Sequence, residues 1–139
     1  MGSARARIRV ASADRRESGT TRVTVLAHSC SEHMVIEYID AGGRDFDAFV
    51  GIGMGATDYG QPMRAPMPLD KLTVPVLDVR GGEDFSAVHR FAPRRAASMA
   101  RGGNASSKQI KVDGANHYFD DRADALHEVT ITWLNALEK

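Results

Sequence analysis

Apolar positions along the chain fall into two rhythms. Short, nearly continuous apolar runs recur at residues 22–27, 47–54 and 72–81, with Val23, Val25 and Leu26 in the first of them, and KQIKVDG at 108–114 gives a fourth strand. Runs of that kind suit strands buried on both faces of a parallel sheet. Between and after them the spacing becomes helical. From Ser31, residues Met34, Val35, Tyr38 and Ile39 share one face, and Gly42 supplies a stop. Val88–Arg101 reads as a second helix, with Pro93 expected near its first turn and Gly102 and Gly103 at its end. In the last helix Leu126, Val129, Trp133, Leu134 and Leu137 repeat at three- and four-residue intervals, enough to cover one face of a sheet.

Two stretches follow neither rhythm. Residues 6–12, ARIRVAS, alternate in the manner of a half-buried strand, and the polar ADRRESGTT after them reads as a turn too short for a helical crossover. Residues 55–71 hold three of the five prolines together with Met63 and Met67 and are read as loop outside the core, bordering a pocket at most. The expected organisation is a basic N-terminal strand and turn over residues 1–20, followed by one unit over residues 21–139. From residue 22 the order is strand, helix, strand, loop, strand, helix, strand, helix. That order predicts an α/β fold: a mainly parallel sheet of four to five strands with right-handed crossovers and helices on both faces.

The sharpest change of rhythm lies in residues 22–41, RVTVLAHSCSEHMVIEYIDA, where an apolar strand meets a corner of small residues and then a helix. The pattern small-x-Ser-x-small, from Ala27 to Ser31, exposes the Ser29 hydroxyl at the end of the strand, above a helix N-terminus whose N–H groups favour developing negative charge. In open parallel sheets functional side chains gather beyond the carboxyl ends of the strands. Asp84 and His117 follow the third and fourth strands as Ser29 follows the first. With those residue types, His117 would take the Ser29 proton, Asp84 would orient the imidazole, and the Cys30 N–H would be the first oxyanion donor.

This stretch resembles the nucleophile elbow of the α/β-hydrolase superfamily, in the variant with His before the serine, and has Ala27 and Ser31 where that motif usually has glycine. PVLDVRGGED is similar to the strand that ends in a glycine turn and the acid of that family. VDGANHYF is similar to its histidine loop, and WLNAL closes the last helix in the same manner. The resemblance runs from the elbow onward and covers the second half of such a fold, with no His-Gly segment before residue 22. It implies a serine hydrolase of small esters using Ser29, His117 and Asp84, weakened by an incomplete oxyanion site. The alternative it leaves open is a hydrolase-derived module that binds a partner without catalysis. With earlier strands missing, an unpaired apolar strand edge implies a homodimer.

Composition narrows the partners. Among 139 residues, 18 basic and 18 acidic side chains cancel, so net charge argues for neither nucleic acid nor an anionic membrane. Arg5, Arg7, Arg9, Arg15 and Arg16 make the start locally basic and read as a solvated edge. No apolar run is long enough to span a bilayer, and no signal-peptide core follows the start. A single cysteine rules out an internal disulfide framework and leaves the compartment undecided, tilting toward the cytoplasm. His28, Cys30, Glu32 and His33 are close in sequence, but a strand-turn-helix path makes them diverge, so neither metal nor cofactor is expected.

Overall fold

A computed structural model of the chain describes residues 4–55 and 67–139. Its elements are helix α1 (Ala4–Glu17), strand β1 (Thr24–His28), helix α2 (Glu32–Asp40), strand β2 (Ala48–Ile52), strand β3 (Val76–Glu83), helix α3 (Ser86–Gly102), strand β4 (Lys108–Asn116) and helix α4 (Ala123–Ala136). The four strands form one sheet in the order β1-β2-β3-β4, every neighbouring pair parallel. β1 and β4 are therefore its two edges.

The expected α/β class holds, because the buried strands do carry the apolar runs. β2, AFVGI, is buried at every position. Each face of the sheet has its own core. One gathers Val35, Ile36, Tyr38 and Ile39 of α2 with Phe46, Phe49, Leu72 and Met99, and Ile8 of α1 packs against it. The other joins Val50, Leu77, Val79 and Val112 to Phe119 and Trp133, with Leu126 and Val129 of α4 alongside. The Trp133 indole N–H, 4% exposed as a residue, donates to the Ser106 carbonyl at 2.8 Å, so its polar edge is satisfied within the core.

Three expectations need correction. Residues 6–12 are not a strand but part of α1. Alanine and arginine are strong helix formers, and the same residues that alternate also place Ile8 and Ser12 four apart on one helical face. That face is the inward one: Ser12 is 2% exposed, whereas Val10, which a half-buried strand would pair with Ile8, is 66% exposed. The helix lies on α2 rather than pairing with β1, which is an edge of the sheet among the described residues. Second, Pro93 sits inside α3, well past the first turn, on the exposed side, where the missing N–H costs one intrahelical bond while buried Val88, Ala92, Arg95 and Met99 hold the helix to the sheet. Third, the loop reading of residues 55–71 falls largely on 56–66, outside the described residues. Of the rest, Met67 and Leu69 belong to the core, and Leu69–Lys71 forms a 3₁₀ turn against α3. Among the described residues, no helix is long and apolar enough to cross a membrane.

Candidate functional site

β1 ends at His28, in extended backbone, and the chain turns through a 3₁₀ segment, Ser29–Ser31, into α2. Ser29 itself takes the turn, with φ +51°, a left-handed conformation uncommon for a residue with a Cβ and typical of strained functional corners. Where a glycine would leave the corner loose, Ser31 fastens it. Its hydroxyl donates to the His28 carbonyl at 2.6 Å and accepts the His28 N–H at 3.0 Å. The Cys30 N–H belongs to the first turn, where a helical N–H has no acceptor in its own helix. The Cys30 thiol is exposed and 4.0 Å from the Ser29 hydroxyl.

Asp84 and His117 reach the same place from the far side of the sheet. β3 and β4 stay in register to Gly81 and Val112, then shift so that Glu83 faces Asn116. That irregularity brings the two backbones so close at Gly81 that a Cβ there would lie 2.2 Å from the Ala115 carbonyl oxygen, and only glycine fits. The displaced end of β4 carries His117 over the sheet. Its ring, 2% exposed, donates from Nδ1 to Asp84 Oδ1 at 2.6 Å and offers Nε2 to the Ser29 hydroxyl at 2.8 Å. The Asp84 carboxylate also accepts the Phe85 N–H at 2.8 Å and the Gly81 N–H at 3.3 Å.

The imidazole is held on every side. Phe85 stacks on it with ring centroids 4.4 Å apart, and Tyr118 meets it edge-on at 5.1 Å. His28 Nε2 donates to the His117 carbonyl at 2.9 Å, tying the residue before the serine to the histidine loop. At the end of β2, Gly53 closes the remaining side, since a Cβ there would lie 2.7 Å from His117 Cε1. The structure thus brings together Ser29, His117 and Asp84, with Cys30 adjoining. Three of the four clustered residues of the elbow go separate ways: His28 turns to His117, Cys30 is exposed, and Glu32 is buried at 1% exposure against the Gly55 N–H. Phe85, Gly53 and Glu32 were not singled out for the site from sequence. Gly53 and Gly55, directly after β2, are the one signal that could have pointed to a close backbone approach there.

Chemically, a serine hydroxyl aimed at an imidazole that a buried carboxylate orients is a proton-transfer chain. No protein-family model and no curated protein matches the chain. Among solved structures, the chain is similar to a protein of unknown function from Agrobacterium tumefaciens named "a Putative Alpha/Beta Hydrolase". Identity is 17% and the TM-score 0.58, over 87% of this chain and 53% of that one. At that identity the likeness is one of fold, and the chain spans about half the length of that relative.

Proposed function

We propose that the chain is a serine hydrolase of small activated esters, with Ser29 as nucleophile, His117 as general base and then acid, and Asp84 as the group that fixes the imidazole tautomer. The observation that carries this reading is the unbroken Ser29–His117–Asp84 contact chain, 2.8 and 2.6 Å, built from the ends of three different strands and turns. In the reaction the Ser29 oxygen attacks the ester carbonyl as its proton passes to His117 Nε2. The alkoxide then leaves with that proton, and water, deprotonated by the same nitrogen, releases the acid. The Cys30 N–H stabilises the oxyanion from the helix N-terminus. The Cys30 N–H is the one oxyanion donor in this reading, and a single donor is worth about a hundredfold in rate, so slow turnover confined to good leaving groups is expected.

The test is labelling with a fluorophosphonate probe, alongside p-nitrophenyl acetate hydrolysis. The wild type is expected to label and turn over, and Ser29→Ala to do neither. Removing His117 or the Asp84 carboxylate is expected to lower the rate on the order of a thousandfold or more. Equal turnover by wild type and Ser29→Ala would sink the reading.

The reading includes a homodimer. Among the described residues no strand pairs with the outer side of β1, and Leu26 at 56% and Met34 at 45% exposure border a groove of about 190 Å³ with Ile8 and Val25. A second copy pairing along β1 about a two-fold axis covers that groove and closes the open side of the elbow. The same edge supports the second reading, a partner-binding module without catalysis, in which the probe labels nothing and the association persists.

A further inference from the structure

Glu32 is a buried acid that the proposed reaction does not use. It is the first residue of α2, three after Ser29, and 1% exposed. Both of its carboxylate oxygens accept the Gly55 N–H, at 2.9 and 3.2 Å. Gly55 and Gly53 bracket the turn at the end of β2, and both lie in the left-handed region, φ +90° and +61°. Gly53 is packed so tightly under the imidazole that a Cβ would come within 2.9 Å of His117 Nδ1 and 3.5 Å of Asp84 Oδ2, and its N–H is anchored to the Val79 carbonyl at 2.9 Å. A Cβ on Gly55 would lie 3.0 Å from Arg95 Nη1, whose guanidinium is committed through Nε to Asp78 at 2.7 Å and through Nη2 to the Val88 carbonyl. The turn is therefore wedged between the His117–Asp84 pair on one side and the Arg95–Asp78 pair on the other. Glu32 is the side chain that ties it to the helix of the nucleophile.

We infer that Glu32 is a positioning residue. By clamping Gly55 it holds the Gly53 wall against His117, so that the imidazole, fixed by Asp84, stays in line with a serine borne by the same short segment as the clamp. The inference rests on the serine-hydrolase reading. It predicts that the clamp matters to reaction at Ser29 more than to substrate binding, since a shift of a few tenths of an ångström at the imidazole costs alignment while leaving the ester's own contacts alone. The charged groups that face Glu32 from neighbouring elements are Arg95 of α3 and Asp78 of β3. Burial outweighs the Gly55 hydrogen bond and Arg95, raising its pKa to about 7, so its charge, and with it the strength of the Gly55 bond, changes across neutral pH.

The experiment uses the full chain and the fluorophosphonate probe, with Ser29→Ala as the control that separates the two claims. If the wild type labels no faster than Ser29→Ala, the hydrolase reading fails and the inference falls with it. If the wild type alone labels, Glu32→Met, which keeps volume and removes both acceptors, is expected to slow labelling at least about tenfold, with KM for p-nitrophenyl acetate unchanged within twofold. Glu32→Gln, which keeps one acceptor for the Gly55 N–H, is expected to recover labelling to within about threefold of wild type at pH 6, where Glu32 is mostly neutral. The far-downfield proton of the His117–Asp84 hydrogen bond is expected in the wild type and Glu32→Gln spectra and lost from Glu32→Met. Should Glu32→Met not fold, the ratio of wild-type to Glu32→Gln labelling rates decides. It is expected to rise severalfold between pH 6 and pH 8 as only the wild type gains a charged acceptor. A flat ratio, or a folded Glu32→Met that labels within twofold of wild type, overturns the inference.

Discussion

The two edges of the sheet are built to opposite rules. β4 is long and guarded. It carries Lys108 and Lys111, the latter paired with Asp113 at 3.2 Å, and the Gln109 amide reaches inward to Asp78 and the Ala92 carbonyl, both at 2.7 Å. α4 then seals one of its faces, with Trp133 in the core. β1 is five residues, TVLAH, without a lysine, arginine or carboxylate, and Leu26 stands 56% exposed. Lysines on an edge deter strand addition, and an uncharged apolar edge invites it. The difference shows how the candidate site is divided. The histidine comes from the charged edge, and the serine from the uncharged, apolar one.

The comparison breaks most visibly at Trp133. Truncating this 4% exposed indole to alanine is expected to cost about 3 to 5 kcal/mol, because it opens a cavity between α4 and the sheet and orphans the Ser106 carbonyl. Leu26→Ala, on the open edge, is expected to change the stability of the monomer by no more than about 0.5 kcal/mol. Urea unfolding of the two variants at low protein concentration checks both figures, and comparable losses would mean that β1 is covered in solution.

How far the chain discloses itself follows the same division. β2 and most of β3 are legible because a central strand of a parallel sheet is covered on both faces and so is largely apolar, β4 because Ile110 and Val112 alternate with polar residues as suits an edge, and α4 because a helix on one face must be striped. Ser29, Asp84 and His117 could be singled out because a strand end, a turn acid and a loop histidine are local features. α1 was not legible. Its arginines alternate with small and apolar residues at both helical and strand periods, and only its encounter with α2 selects Ile8 and Ser12 as the inward face. Pro93 misleads for a related reason, since tertiary packing of α3 outweighs one missing hydrogen bond. Glu32 was illegible in principle. Nothing in SCSEHM says that its carboxylate will be buried, because its partners arrive from residues 55, 78 and 95.

That buried acid, at the start of α2 beside β1, gives the chain a pH dependence of its own. The Glu32 pKa is raised from 4.5 to about 7, first by burial and against the Gly55 hydrogen bond and the Arg95 charge. For an acid whose folded pKa exceeds its unfolded one, the folded state binds the extra proton. The associated stability is complete below about pH 4.5 and is lost as pH rises through about 7. The size is on the order of 3 kcal/mol across that window. Glu32→Gln, neutral throughout, is expected to flatten the decline between pH 5 and pH 8 and to be the more stable protein at pH 8. Thermal unfolding of both at several pH values is the measurement, and parallel curves would show that Glu32 ionises freely in the folded chain.

The smallest expected effect is the most direct test of the two edges. In a two-fold dimer paired along β1, Leu26 occurs once on each side of the axis, so Leu26→Lys places two like charges near one another in the interface and removes two exposed apolar side chains from it. Each change is worth roughly 1 kcal/mol, which together raises the dimer dissociation constant on the order of tenfold or more. Leu26, 56% exposed, borders the groove with Ile8, Val25 and Met34, so labelling at Ser29 is expected to stay near wild type. The opposite substitution, Lys111→Val on β4, removes a guarding charge and is expected to promote association through that edge instead. Light scattering at micromolar concentration reads all three proteins. The wild type is expected at twice the 15.1 kDa chain mass, Leu26→Lys to shift toward the monomer on dilution, and Lys111→Val to form larger species. A wild type that stays at 15.1 kDa on concentration would mean that the open edge of β1 is not self-complementary, and the asymmetry between the edges would then have to serve a different partner chain.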